Sequence, residues 1–114
     1  MRYEEIDENI KGILDNVKRG QKFYKVRNRD GRWIYPRTVD LKKGRPRLFV
    51  FQGGFTDDAF EDYESVAVVI AGNLPEALTF LKTDSNDWLG GIGEIKELPL
   101  KKGLADVYNS PEIA

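Results

Sequence analysis

The sequence predicts an α+β fold, in which two helices pack on a mainly antiparallel sheet of about four to six strands. Three observations lead to this prediction. The chain opens with an amphipathic helical pattern, continues through short β-branched and aromatic segments separated by turn residues, and returns to a helical pattern before a further strand. A chain of 114 residues has the length of one domain, which we place at residues 1–114.

The first predicted helix runs from Tyr3 to Arg19. Its apolar residues recur at helical spacing, at Ile6, Ile10, Ile13, Leu14 and Val17. Acidic residues crowd its first turns and basic residues its last, which complements the helix dipole at both ends. Gly20 follows and is typical of a helix C-terminus.

Residues 22–39 predict a β-hairpin. Two arms rich in aromatic residues flank the turn Arg29-Asp30-Gly31, and Asp-Gly is a strong hairpin signal. Pro36 has no N–H to donate, so we expect the second arm to be an edge strand or to end there. A short apolar strand is expected next, at Arg47–Gln52.

Ser65–Ala71 is β-branched, continuous and uncharged, and therefore predicts a buried central strand. A second helix near residues 74–83 is expected to follow directly. Its start is indicated by Asn73 as N-cap, by Pro75 in the first turn and by Glu76, which would close a capping box.

Two last strands are predicted, a partly exposed one at Ile92–Leu98 and a short one at Leu104–Tyr108. Glu94 and Lys96 are two residues apart, so they share a face of their strand. With an upstream Asp such as Asp84 or Asp87, they resemble the D…E-x-K arrangement of metal-dependent nucleases, in which carboxylates hold Mg²⁺ and the Lys positions water. A Mg-dependent nuclease is therefore the second alternative function.

The composition excludes several kinds of site. The chain has no Cys and no His, so disulfides, thiolate or imidazole metal sites and His-based catalytic triads are excluded. We expect no cofactor and no metal, and the residue types favour a binding protein over an enzyme. No apolar run approaches the length of a membrane span, and residues 1–10 do not have a secretory signal pattern. These features predict a cytoplasmic protein with no membrane partner.

Charge is distributed very unevenly along the chain. The net charge of −1 combines −3 over residues 1–17, +10 over residues 18–47 and −8 over residues 48–114. Such an asymmetry favours a charged face that binds a partner. Folding of the acidic segments against the basic one would account for it equally well.

The candidate binding residues lie in this basic segment, where cations alternate with aromatic residues. Cations beside exposed aromatics can hold single-stranded nucleic acid or anchor a protein partner. Alternatively, the aromatic residues point into the core and the cations only contact solvent. The candidates are Lys25, Arg27, Arg29, Arg32, Trp33, Tyr35, Lys42, Lys43, Arg45 and Arg47.

Lys43-Gly44-Arg45-Pro46-Arg47 resembles part of an AT-hook, a short motif that binds the minor groove of DNA. The resemblance implies that Arg45 and Arg47 enter a narrow groove while Gly44 lets the backbone approach closely. The segment is single and runs directly into an apolar strand. We therefore favour the interpretation that it is a solvated turn that opens the strand.

The stretch DYESVAVVIAGNLPEAL, residues 62–78, looks like a pattern common in small uncharacterised phage, prophage and other mobile-element proteins. The pattern is an acidic turn with Tyr, a V-V-x-A strand, a short Asn/Asp turn and a helix that opens with Glu-Ala. Trp88 and IGEIKELPL continue it, so that it covers about residues 60–100. The resemblance implies an α+β accessory factor of the cytoplasm, a class in which some members inhibit host proteins.

The leading hypothesis is a small non-catalytic cytoplasmic binding protein whose charged surface engages a protein partner. The first alternative is a nucleic-acid-binding module that uses the hairpin and turn at residues 22–47. An edge strand at Trp33–Tyr35 would also permit a homodimer.

Overall fold

The computed structural model describes residues 3–56, 62–84 and 91–100. These residues form the predicted α+β fold. The elements are a 3₁₀ turn at Tyr3–Glu5, helices α1 (Glu8–Lys18) and α2 (Leu74–Asp84), and strands β1 (Tyr24–Arg27), β2 (Trp33–Ile34), β3 (Arg47–Thr56), β4 (Asp62–Ala71) and β5 (Ile92–Pro99). The strand predicted at Leu104–Tyr108 lies outside the described residues.

The five strands form one mixed sheet in the order β2-β1-β5-β3-β4. Neighbouring strands are antiparallel except β1 and β5, which are parallel. Strand β5 therefore joins two hairpins, β1–β2 on one side and β3–β4 on the other. The prediction of a mainly antiparallel sheet is confirmed.

The predicted central position of Ser65–Ala71 was wrong, whereas the strand predicted at Ile92–Leu98 is present and partly exposed. The apolar segment Ser65–Ala71 belongs to β4, an edge strand, whereas the charged segment Ile92–Leu98 is the central strand β5. Strand β5 tolerates this position because its carboxylates have partners: Glu94 pairs with Lys25 and Glu97 with Arg47. A continuous apolar run alone does not show whether both faces and both edges of a strand are covered.

Both helices pack on one face of the sheet. The core on that face combines Phe49 and Phe51 of β3 and Ile95 of β5 with the apolar sides of α1 and α2. The apolar residues predicted to be buried in α1 are buried, as are Leu74, Ala77, Leu78 and Leu81 of α2. The opposite sheet face, which points away from both helices, is called the outer face below.

Helix α1 begins at Glu8 rather than at Tyr3, because Asp7 caps it by accepting a hydrogen bond from the Asn9 N–H (2.9 Å). Its end is as predicted. Gly20 adopts a φ of 80°, and its N–H donates to the Val17 carbonyl (3.0 Å). Gln21 N–H donates to the Asn16 carbonyl (3.3 Å), so the last turn forms a Schellman motif.

Replacing Gly12 with alanine is expected to raise the free energy of unfolding by about 0.8 kcal/mol, because alanine loses less backbone entropy in a helix. Gly12 lies inside α1, and a Cβ atom there meets no atom within 4 Å. Urea unfolding measures the difference. The matched control is Gly20→Ala, which puts a side chain at positive φ and is expected to destabilise. An unchanged or lower stability of G12A would contradict the prediction.

The predicted hairpin is present and turns at Gly31, which has a φ of 77°. The Asn28 side-chain oxygen holds the turn by accepting hydrogen bonds from the N–H groups of Asp30 (3.0 Å) and Arg32 (2.9 Å). Strand β2 is an edge strand of two residues that ends before Pro36, as expected.

Candidate functional site

The basic turn, residues 42–47, is held against the corner between β4 and α2. Gly44 N–H donates to the Gly72 carbonyl (2.9 Å), and the Asn73 side-chain nitrogen donates to the Leu41 carbonyl (3.0 Å). A Cβ atom at Gly72 would lie only 3.0 Å from the Gly44 oxygen, so the two backbones approach each other closely. The turn is therefore a built part of the fold.

Two of its four cations bind within the protein. Lys43 Nζ lies 2.8 Å from Glu76, and Arg47 donates to the Gly72 carbonyl (2.6 Å) while its other nitrogen lies 3.3 Å from Glu97. The remaining two, Lys42 and Arg45, are exposed. An AT-hook would need Arg47 in the groove, and here Arg47 is engaged by the protein. This geometry is that of a strand-opening turn.

Glu76 links the turn to the start of α2. Asn73 caps the helix as predicted, since its side-chain oxygen accepts the Glu76 N–H (2.9 Å). The return bond differs from the predicted capping box, because Glu76 accepts the N–H of Gly72 (2.9 Å) instead of that of Asn73. The hydrogen bond from Lys43, followed by that from Gly72, lowers the pKa of Glu76. The charged carboxylate therefore stabilises the fold at neutral pH, and this contribution is lost on acidification.

A polar cluster of the buried Tyr24 and Glu97 with the partly buried Arg47 lies on the helix-facing side of β1, β3 and β5. Tyr24 Oη donates to Glu97 (2.6 Å), whose carboxylate also contacts Arg47. Burial, together with the negative charge of Glu97, raises the pKa of Tyr24 far above its usual value. The hydroxyl consequently stays protonated and cannot act as a base at neutral pH.

This cluster lines a half-open cleft of about 210 Å³, beside Val26, Ile34, Pro36, Thr38, Val39, Asp40 and Leu74. The cleft does not concentrate one sign of charge, because Asp40 and Glu97 oppose Arg47. The tyrosine of the cleft, Tyr24, donates a hydrogen bond to Glu97, which lines the same cleft. The arrangement joins three strands and provides no activated nucleophile or base.

The outer face carries a different cluster. Trp33 pairs with Arg27 across the hairpin, and Lys25 pairs with Lys96 across β1 and β5. Two cations lie near the Trp33 ring: Arg27 Cζ is 5.5 Å and Lys96 Nζ is 5.8 Å from its centroid. We call Lys25, Arg27, Trp33 and Lys96 the cationic patch. One carboxylate lies within it, since Glu94 is 2.5 Å from Lys25.

Other candidates from the sequence surround the cationic patch or lie apart from it. Arg29 and Arg32 are exposed at the hairpin turn next to it. Tyr35 is 48% exposed, with Lys22 Nζ 5.9 Å from its ring. The structure thus brings Lys25, Arg27 and Trp33 together on the outer face and keeps the turn at residues 42–47 separate.

The sequence had marked Lys96 for nuclease chemistry and not for this patch. Its place beside Trp33 depends on the parallel pairing of β1 with β5, which no local signal indicates. Within the described part of the chain, no group of three acidic residues could hold a metal ion. Asp87, one of the acidic residues considered for a nuclease site, lies outside it.

The outer face also carries an apolar stripe at its other side. Val66, Val68 and Ile70 of β4 are 56%, 60% and 58% exposed. Successive residues of a strand alternate between the faces, so these three side chains lie in one row. Exposed β-branched residues in a row are unusual on a protein surface that contacts only water.

No protein-family model matches the chain, and no curated protein or solved structure is significantly similar to it. None of the helices in the described ranges is long and apolar enough to cross a bilayer. Proposals about function therefore depend on the contacts of the chain's own residues.

Proposed function

We propose that this is a non-catalytic binding protein, which docks an acidic surface of a protein partner on the cationic patch. The observation that carries the proposal is Trp33, whose ring lies close to both Arg27 and Lys96 on the sheet face that points away from the helices. Trp and Arg are the residue types most enriched among the anchors of protein interfaces.

The patch is organised before a partner arrives. Each cation–aromatic contact at a partly exposed site contributes about 0.5–1 kcal/mol, which restricts the long side chains around the ring. Binding then costs less side-chain entropy than it would with unrestrained cations. Surrounding charges from Arg29 and Arg32 raise the rate of encounter with an acidic partner.

Three contacts favour a protein over a nucleic acid as the partner. A base that stacked on the Trp33 ring would compete with the contacts that Arg27 and Lys96 already make to it. Glu94 places a carboxylate inside the patch, which repels phosphates but suits the mixed charges of a protein surface. Lys43 and Arg47 lie apart from the patch and are bound to Glu76 and Glu97, so they do not extend it into a phosphate-binding track.

Nucleic-acid binding is the second candidate, favoured by the exposed Arg29 and Arg32 beside the patch. The resemblance of residues 60–100 to phage and mobile-element proteins supports an accessory factor of the cytoplasm under either candidate. It gives no residue a role.

The test compares three affinity-tagged baits in a lysate of the source organism. They are wild type, Arg27→Glu with Lys96→Glu, and Lys42→Glu with Arg45→Glu. The two variants change charge equally, but the second alters only the exposed turn. We expect a protein captured by wild type to be retained by the turn variant and lost by the patch variant. Circular dichroism and thermal melting confirm that both variants fold. Equal capture by all three baits would contradict the proposal.

A second arm addresses nucleic acid directly. Fluorescence anisotropy is recorded with labelled single- and double-stranded DNA and RNA at about 50 and 200 mM salt, since phosphate contacts weaken steeply over this range. We expect no binding at the higher salt. Salt-sensitive binding by wild type that the patch variant loses would replace the protein partner with a nucleic acid.

A further inference from the structure

The free edge of β4 is the longest strand edge in the described part of the molecule. Strand β4 pairs with β3 in unbroken register from Asp62 to Ala71. No strand in the described ranges pairs with its other edge, since β4 is the last strand in the sheet order. Such an edge presents a row of backbone N–H and C=O groups that can receive another strand.

Natural sheets protect their edges, and the two edges of this sheet differ in this respect. Strand β2 has two residues, ends before Pro36 and follows the exposed Arg32. Residues 65–71 of β4 contain no charge, no Pro and no Gly, and their pairing with β3 has no bulge. Among the described residues, this segment therefore has no charge, Pro or bulge that would keep its edge from pairing.

We propose that this edge pairs with the same edge of a second copy of the chain, antiparallel and about a two-fold axis at Val68. Val68 then faces its own copy, and Val66 faces the partner's Ile70. The exposed stripe of each copy continues into that of the other on the outer face. The described sheets of the two copies then become one continuous sheet.

A second copy suits this edge better than an unrelated strand for two reasons. Antiparallel pairing about Val68 is self-complementary, because the positions 66 and 70 that meet are both β-branched and apolar. Like charges do not oppose each other, since residues 65–71 are uncharged, and the net charge of the whole chain is only −1.

The length of the contact indicates its strength. Seven paired residues span roughly 24 Å of strand. An interface of that length lies at the low end of the sizes of specific interfaces, below about 1,200 Å². We therefore expect a dimer in concentration-dependent exchange with the monomer. The cationic patch lies on β1, β2 and β5, so dimer formation leaves it in place and the two proposals can fail separately.

Single cysteines test the pairing, because the chain has none of its own. Val68→Cys is expected to form a disulfide-linked dimer under mild oxidation, roughly tenfold or more faster than Ile34→Cys, because pairing places the two thiols at high effective concentration. Ile34 is the matched control, since it is 46% exposed on the opposite edge strand. Mixing Val66→Cys with Ile70→Cys should give mixed dimers faster than either variant alone. Equal rates for V68C and I34C would overturn the proposal.

Sedimentation measures the same equilibrium without cross-linking. The mass of wild type is expected to rise from 13.0 kDa toward twice that value as the concentration increases from about 10 μM to 1 mM. Val68→Lys opposes two like charges at the axis and should remain monomeric, whereas Ile34→Lys should behave as wild type. Val68→Thr keeps the β-branched shape and introduces no charge. It therefore shows whether a substitution at residue 68 acts on the pairing of the two copies or on the folding of each copy. A monomeric wild type, or a V68K that still forms dimers, would overturn the proposal.

Discussion

Replacing Glu97 with leucine is expected to lower the free energy of unfolding by about 3 kcal/mol, since it leaves a charged Arg47 and a Tyr24 hydroxyl without their partner in the interior. Glu97 is 6% exposed, accepts the Tyr24 hydrogen bond at 2.6 Å and lies 3.3 Å from Arg47. The side chain of Arg47 keeps about a third of its surface in water, so the effect lies at the lower end of the range for buried pairs.

The matched control is Glu94→Leu. Glu94 lies on the same strand as Glu97 and likewise pairs with a cation, Lys25. Its side chain, however, is about a quarter exposed and lies on the outer face. Loss of this ion pair is expected to lower the free energy of unfolding by about 0.5 kcal/mol. Urea unfolding of both variants and wild type measures the difference. Equal effects would mean that the buried cluster contributes no more than a surface ion pair.

Tyr24→Phe separates the hydrogen bond from the charges. In the wild-type chain it should cost about 1 kcal/mol, because one buried hydrogen bond is lost. In the Glu97→Leu chain the tyrosine hydroxyl no longer has this acceptor, so the same change should cost less or even stabilise. Additive effects in this double-mutant cycle would contradict coupling between Tyr24 and Glu97.

Replacing Gly53 with alanine is expected to destabilise the protein by about 2 kcal/mol, because the strand has no room for a side chain there. A Cβ atom at Gly53 would collide with the carbonyl oxygen of Gly91 and lie 3.0 Å from its carbon. The obstacle is backbone, which cannot rotate away as a flexible side chain could. One of the two strands would have to shift.

Gly93→Ala is the matched control for Gly53→Ala. Gly93 lies at the register shift where β5 meets β3, and a Cβ there would be 3.7 Å from the nearest atom, an ordinary contact. We expect G93A to match or slightly exceed wild type in thermal unfolding, while G53A melts at lower temperature. A G53A protein as stable as G93A would show that the strands can separate at Gly53 without cost.

Local signals predicted the parts of the fold that local interactions determine. Asp30-Gly31 indicated the hairpin, Asn73 indicated the start of α2 and Gly20 the end of α1, because each acts on backbone groups within a few residues. The pattern of Ile10, Leu14 and Val17 indicated which side of α1 would be buried, since that pattern depends only on the helical period.

The arrangement of strands depends on distant residues, and here the sequence was insufficient. The segment SVAVVIA has the pattern of a central strand. Its position in the sheet, however, depends on which other segments pair with the strands beside it. The position of Trp33 was open for the same reason, because its face follows from register with Arg27. The candidate site was therefore predicted in part: Lys25, Arg27 and Trp33 were named, whereas the contribution of Lys96 to their patch was not.

The central position of β5 also sets the order in which the molecule can be completed during synthesis. The two hairpins have no direct strand pairing with each other among the described residues, and the strand that joins them is the last one described. Residues 24 and 95 meet across most of the chain, so closing the sheet is a long-range step that follows local hairpin formation. A nascent chain without residues 92–99 lacks the strand that joins the two hairpins into one sheet. The cationic patch needs Lys96, so it is assembled only after residue 96 has left the ribosome.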